Sequence, residues 1–496
     1  MGEQLNSLDA TFLELEELDQ GAHMHIGVVM VFEPRPGGKV PPSLPELAAR
    51  LDRGTEDLPR FTQRLSKPTT GGLSWPSWED DEGFRVQNHL RAARLPEPGG
   101  EAELLDWLGE FYSERLDRTR PLWEMVVVDG LEGGRWALVS KTHHCMIDGV
   151  GSAQMGHFVV DTERNAAPGS RGASRRVSPS SPPSLKPAST LGSIGSSTAG
   201  LARLPLRAAS QAARSGAALL RGGAGLARHP GRGSEALKRS RALVDVLVHD
   251  EIVAAPRTSL NAPTGAKRLF GMMRAPLSEL KEVKGALGGT VNDVVLAVAT
   301  GGLRRLLIER GEELPERGLR AMVPVNLRET GEELAMGNRV TSLYAFLPVA
   351  VEDPLERYEH QVHEDESLKS GMQALGTTTL IDLTQYAPPV IHSFLARSLF
   401  ATRLFNVTIT NIPGPQQPLY GFGARMTEAW PLVPIAANHA FGLAVTSYDG
   451  NMFFGLNADR SSMPDLGVLA EGMRDSLAEL LDAARAQAAR SPAAPE

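Results

Sequence analysis

The chain has 496 residues, 42% hydrophobic and 22% charged, with a formal net charge of −8; that length has room for two domains, and the mild acidity argues against nucleic acid as the main partner. Cys145 is its single cysteine, so no intrachain disulfide can form and a reducing compartment fits. No run approaches the roughly 20 apolar residues that span a bilayer, the opening MGEQLNSLDA lacks the basic and apolar regions of a secretory leader, and Asn6 breaks the myristoylation pattern that Gly2 would open.

In chain order, His25 to Glu33 (HIGVVMVFE) predicts a strand, and Leu44 to Leu51 and Glu103 to Leu116 predict amphipathic helices. Leu122 to Val128 and Arg135 to Thr142 predict closely paired strands around Asp129-Gly130 and Gly133-Gly134. His143-His144-Cys145-Met146-Ile147-Asp148-Gly149 follows, closing on a turn-forming Asp-Gly pair. Val150 to Glu163 then spaces small and apolar residues at a near-helical interval, so the local picture is strand, histidine pair, tight turn, helix. Residues 165–243 are rich in Ser, Pro, Gly, Ala and Arg, and 171–243 carry thirteen Lys/Arg against Glu235 alone, the composition of a partly disordered linker.

Beyond about residue 255 the pattern is globular again. Thr290 to Arg310 predicts a helix whose Thr290 and Asp293 have the spacing of a capping box. Strands are expected over Leu319 to Leu327, Val340 to Val349 and Val407 to Ile412, the last stopped by Pro413-Gly414-Pro415. Phe441 to Tyr448 and Met452 to Ala458 form an expected hairpin around Asp449-Gly450, and Pro464 to Ala489 a final helix.

The chemistry centres on the histidine pair. Adjacent strand residues point to opposite faces, so the two rings are not expected to serve one proton from the same side. One can face a substrate channel as a general base, for which an imidazole with an ordinary pKa near 6.5 is suited. The other reading is a hydrogen-bonded pair buried in the core. Cys145 is not expected to act as a nucleophile, because it directly follows His144 and adjacent residues do not readily form a nucleophile–base pair. A zinc site is not expected either, since the HExxH helical pattern is missing.

His143-His144 with Asp148-Gly149 resembles the HHxxxDG signature of the acyl-CoA-dependent acyltransferases that include chloramphenicol acetyltransferase and peptide-synthesis condensation domains. The rest of the chain, the basic segment excepted, resembles one branch, the bacterial wax ester synthase/diacylglycerol acyltransferases. The resemblance rests on Leu8-Asp9-Ala10-Thr11-Phe12-Leu13 with Glu16, and on His23-Met24-His25-Ile26-Gly27. It rests also on Leu116-Asp117-Arg118 before Pro121-Leu122-Trp123-Glu124, on Asn292-Asp293, and on Thr410-Asn411-Ile412-Pro413-Gly414-Pro415, where Ile412 replaces the family's usual Val.

This resemblance implies an α/β fold of two chloramphenicol-acetyltransferase-like domains, residues 1–164 and 255–490, joined by a linker over 165–254. Each would carry a mixed sheet with flanking helices, and an active-site tunnel would run between them. It implies a long-chain acyl-CoA as donor and diacylglycerol or a fatty alcohol as acceptor, with His144 as the base and no cofactor or metal. His143 and Asp148 share the motif: His143 as a structural partner, Asp148 as an ion-paired or hydrogen-bonded anchor or a turn residue, with Gly149 permitting the turn's backbone. Asn292 is the oxyanion or substrate candidate, or else a capping amide; Thr410 and Asn411 line the tunnel or pack at a strand end. Asp293 caps a helix, Pro121 and Trp123 pack, and Glu16 is a polar partner. The basic segment offers contact with an anionic membrane or lipid droplet from a cytoplasmic protein, against a purely solvated linker. Two other readings are a polyketide-ester or condensation-type transferase, and an inactive lipid-binding relative.

Overall fold

The computed structural model describes residues 3–19, 21–38, 40–55, 58–66, 75–147, 158–164, 254–326, 340–363 and 404–490. The first half runs α1 (Ser7–Leu18), β1 (His25–Phe32), α2 (Leu44–Thr55), β2 (Gln63–Leu65), β3 (Trp78–Asp80), β4 (Leu90–Arg94), α3 (Glu101–Ser113), β5 (Trp123–Asp129) and β6 (Trp136–His143). The second half runs β7 (Arg268–Pro276), α4 (Leu277–Leu287), α5 (Val291–Glu309), β8 (Leu319–Asn326), β9 (Val340–Leu347), β10 (Val407–Ile412), β11 (Tyr420–Gly421), β12 (Ala424–Leu432), β13 (Phe441–Tyr448), β14 (Asn451–Asp459) and α6 (Leu466–Arg490).

Two six-stranded mixed sheets result, in the orders β11-β12-β1-β6-β5-β4 and β7-β14-β13-β10-β8-β9. Each holds parallel pairing among antiparallel neighbours: β4 with β5 in the first, β10 with β8 and β13 in the second. This is the α/β architecture expected. β1 and β6 are buried along nearly their whole length, which explains why β1 and the Trp136–Val139 half of β6 read as apolar runs rather than alternating ones, while Ser140, Lys141, Thr142 and His143 are buried polar residues. Gly27 lies where β1 passes closest to α3. A Cβ there would stand 2.0 Å from Tyr112 Oη and 2.1 Å from the Ser140 carbonyl oxygen. The β13–β14 hairpin turns at Asp449 (φ 44°) and Gly450 (φ 80°), the left-handed pair that Asp-Gly suits.

The two sheets do not divide where the sequence does. β12, from the second half, pairs antiparallel with β1 in register Gly27↔Leu432 to Phe32↔Met426, with a shift between Val31 and Phe32. The first sheet is therefore not built from residues 1–164 alone. Its core continues into Phe270, Met272, Tyr448 and Phe453 of the second half. Trp430 on β12 meets Phe453 on β14 edge to face, with centroids 4.9 Å apart. Arg268, 1% exposed, sits at this junction: its Nη1 donates to the Gly265 carbonyl at 2.7 Å and its Nη2 donates to the Gly21 carbonyl of the α1–β1 loop.

The expected linker, 165–254, lies outside the described residues except for Ala254. So do residues 150–157 of the expected helix after the histidine motif. The remainder of that helix is not formed: residues 158–164 make turns and a single bridge, Asp161↔Tyr420. Arg50 Nη2 holds the Asp161 carboxylate at 2.6 Å, so tertiary pairing with the edge of the first sheet replaces the local helical tendency. Among the described residues no single helix is long and apolar enough to cross a membrane.

Candidate active site

β6 delivers the histidine pair. It is the strand between β1 and β5, and its last residue, His143, donates its backbone N–H to the Leu122 carbonyl at 2.9 Å. His144 donates its own N–H to the opposite side, to the Met24 carbonyl at 2.8 Å, and the Met146 N–H closes a turn onto the His143 carbonyl at 3.0 Å. The chain thus leaves the sheet within two residues, held from both neighbouring strand ends. The turn also changes the expected outcome for the side chains: strand alternation stops at His143, and both rings meet helix α1. Phe12 stacks on His144, with centroids 4.1 Å apart and planes 17° from parallel. Glu16, one helical turn on, meets His143.

His143 is sealed, at 1% exposure, and its two nitrogens are committed. Nδ1 accepts the Cys145 backbone N–H at 3.1 Å, so in the neutral ring the proton sits on Nε2, which donates to Glu16 Oε2 at 2.9 Å. Glu16 is 2% exposed. Its other partners are Arg118 Nη2 at 2.7 Å, His25 Nε2 at 3.7 Å and Arg115 Nε at 3.9 Å. Burial alone would raise the Glu16 pKa, but the hydrogen bonds from His143 and from the Arg118 guanidinium outweigh it and hold the carboxyl well below the usual carboxylate range. Arg118 belongs to the Leu116-Asp117-Arg118 motif, which gains a physical role here: it ties α1 to the chain entering β5.

Burial keeps the neighbouring histidines neutral. His23 is pushed down to about 4 by burial and then by the Arg268 guanidinium, and His25 well below its ordinary value by burial and then by Lys141. Lys141, on β6 two residues before His143, is itself lowered to about 8 by burial. Its Nζ donates to the Phe111 and Glu114 carbonyls at 2.9 and 3.0 Å, closing the C-terminal end of α3 against the strand. Cys145 is fully buried and burial pushes its thiol pKa up, which is the opposite of what a nucleophile needs. His144 differs from this set in being only half-buried. Asp148 and Gly149 lie outside the described residues.

A second polar group forms in the other sheet. Asn292, in the first turn of α5, accepts from Asn411 Nδ2 on β10 at 3.5 Å, and Thr410 is the adjacent strand residue. All three are half-buried. Capping of α5 belongs to its neighbours: Asp293 Oδ2 accepts from the Thr290 N–H at 2.7 Å and from Thr290 Oγ1 at 2.9 Å, while the Asp293 N–H donates to Thr290 Oγ1 at 3.3 Å. The Asn292 amide is therefore not the cap. Pro121 and Trp123 are buried, Trp123 stacking on His89 at 4.5 Å and donating its Nε1–H to the Phe61 carbonyl at 2.8 Å. Among the described residues no group of three or more His, Cys, Asp or Glu is arranged to hold a metal ion.

The wax ester synthase/diacylglycerol acyltransferase catalytic-domain model matches residues 5–295, and the WS/DGAT C-terminal-domain model matches 336–481. The chain belongs to the wax ester synthase/diacylglycerol acyltransferase family. Two Mycobacterium tuberculosis relatives, each named a probable diacylglycerol O-acyltransferase, match nearly end to end. One, tgs2, is 33% identical over 95% of this chain and 97% of its own; the other, tgs1, is 31% identical over 96% and 95%. The solved wax ester synthase/diacylglycerol acyltransferase from Marinobacter aquaeolei VT8 is 27% identical, covers 97% of this chain and 100% of its own, and has a TM-score of 0.65. A starter condensation domain of rhizomide synthetase, 13% identical over 98% of this chain and 95% of its own with a TM-score of 0.57, shares the fold. Phe12, Glu16 and Arg118 are legible in this family's motifs as letters, but the contacts of Phe12 and Glu16 with the histidine pair, and of Arg118 with Glu16, have no local signal.

Proposed function

We propose that this family member transfers a long-chain acyl group from acyl-CoA to diacylglycerol, and to long-chain alcohols as secondary acceptors, with His144 as general base. The observation that carries the reading is the asymmetry of the histidine pair. One ring is sealed and committed to Glu16, while the other stands half-buried where β6 ends. In the proposed reaction the imidazole of His144 takes the acceptor hydroxyl proton as the oxygen attacks the thioester carbonyl carbon. The C–O bond forms, the tetrahedral oxyanion collapses, the C–S bond breaks, and CoA thiolate takes the proton back from the imidazolium. No acyl-enzyme is required. Asn292 and Asn411 are the groups assigned to the substrate or its oxyanion, in a tunnel entered by acyl-CoA from one side and the acceptor from the other.

The test is CoA release from palmitoyl-CoA by the purified protein, with diacylglycerol and hexadecanol compared. Release that depends on acceptor and favours diacylglycerol is expected, and His144→Ala is expected to reduce it at least about 100-fold. Full turnover by that variant overturns the base assignment; release without any acceptor overturns the transferase reading. The protein is proposed to be cytoplasmic and to attach peripherally to membrane or droplet surfaces through its basic segment. Flotation on anionic liposomes should fall when residues 171–243 are deleted; equal flotation removes the segment from that role.

A further inference from the structure

The turn that carries the chain out of β6 is held at four consecutive backbone N–H groups. Those of His143, His144 and Met146 donate to the Leu122, Met24 and His143 carbonyls at 2.9, 2.8 and 3.0 Å. The N–H of Cys145 differs in donating to a side chain, His143 Nδ1 at 3.1 Å. A side-chain acceptor that takes the N–H two residues on is the device by which Asn and Asp build an Asx turn. His143 does the same with a ring nitrogen. An imidazole can play that part only with its lone pair on Nδ1 and its proton on Nε2. Glu16 Oε2, 2.9 Å from Nε2, holds the proton there. His143, Cys145 and Glu16 are all buried, so bulk water is shut out of both bonds.

We propose that His143 is a positioning residue acting through the backbone of His144: its Nδ1 lone pair fixes the 143–146 turn, and Glu16 selects the tautomer that puts the lone pair there. The ring of His144 keeps partners of its own, Phe12 among them; what His143 fixes is the backbone from which that ring projects. The proposal rests on His144 being the base. A turn that relaxes by about 1 Å carries the imidazole with it, and a misplacement of that size costs up to about 100-fold in rate.

Two substitutions separate the two nitrogens of His143. In His143→Asn the amide oxygen takes the place of Nδ1 and the contact with Glu16 is lost. In His143→Gln the amide NH2 takes the place of the Nε2–H and the acceptor for Cys145 is lost. Each gives up one buried hydrogen bond, so their thermal midpoints should fall by similar amounts. Their kcat values for CoA release from palmitoyl-CoA with diacylglycerol should part. Asparagine should stay within about threefold of the parent and glutamine should fall about 10- to 100-fold, with KM for palmitoyl-CoA within about twofold in both. Should asparagine prevent folding by stranding the Glu16 charge, Glu16→Gln is added to it and the same kcat is expected. Should glutamine prevent folding, His143→Met, which fills the space without a strong acceptor, carries the test. Equal kcat in the two folded variants, or the larger loss in asparagine, overturns the proposal, as does a KM that rises while kcat holds. His144→Ala is run in parallel. If it turns over normally, the base assignment itself has failed; if it is inactive while His143→Gln is normal, only the positioning role has.

Discussion

Replacing Glu16 with glutamine keeps the shape of the side chain and discards its charge at the centre of the His143–Arg118 junction. Two charge-assisted hydrogen bonds are affected, from His143 Nε2 at 2.9 Å and from Arg118 Nη2 at 2.7 Å. A hydrogen bond to a charged group contributes about 1.5–3 kcal/mol against about 1 for a neutral one. The His143 side is fully shielded from water and keeps its full difference. The Arg118 side chain is 32% exposed, can recover water, and contributes little. The expected loss at neutral pH is therefore about 0.5–2 kcal/mol, or roughly 0.5–2 °C in the thermal midpoint for a chain of this length.

The pH dependence is the sharper measurement. The folded-state pKa of Glu16 is depressed, so its contribution is complete above the unfolded value of about 4.3 and is lost as pH falls toward the folded value. The gap between parent and Glu16→Gln should hold constant from pH 7 to 5 and narrow below about pH 4. Midpoints followed by circular dichroism at pH 7, 5 and 3.5 decide it. Equal midpoints at pH 7, or a gap unchanged at pH 3.5, refute the account of Glu16 as an ionised anchor.

Gly27→Ala should fail to give stably folded protein, since its Cβ would meet Tyr112 Oη and the Ser140 carbonyl at about 2 Å, and the loss should exceed about 3 kcal/mol; a parental thermal midpoint would contradict this. Asp293→Ala should cost about 1 kcal/mol through loss of the α5 capping box, read as a lower denaturant midpoint with an unchanged m-value. Cys145→Ala should keep kcat within twofold, and the native thiol should resist an aromatic disulfide reagent until denaturant is added; prompt labelling of the native protein would count against a sealed, protonated thiol.

Local rules reached far along this chain. The apolar run of β1, the strand at β6, the Asp449-Gly450 turn and the Thr290–Asp293 cap were legible because each depends on residues within a few positions of one another. The histidine motif and its family were legible for a similar reason, as short strings in a fixed order. The helix expected after the motif shows the limit: its described portion was taken up instead by the bridge between Asp161 and Tyr420.

What only tertiary structure decided are the contacts between segments with no shared period. Glu16 meets His143 across 127 positions and Asn292 meets Asn411 across 119. β12 leaves its own half of the sequence to join β1, giving the edge of that buried strand not taken by β6 the backbone partners it needs. Residue type alone pointed to an imidazole as the proposed base. Which of two adjacent imidazoles was committed to a carboxylate, and which stayed half-open against an aromatic face, followed from the turn at residues 143–146 and the helix packed across it.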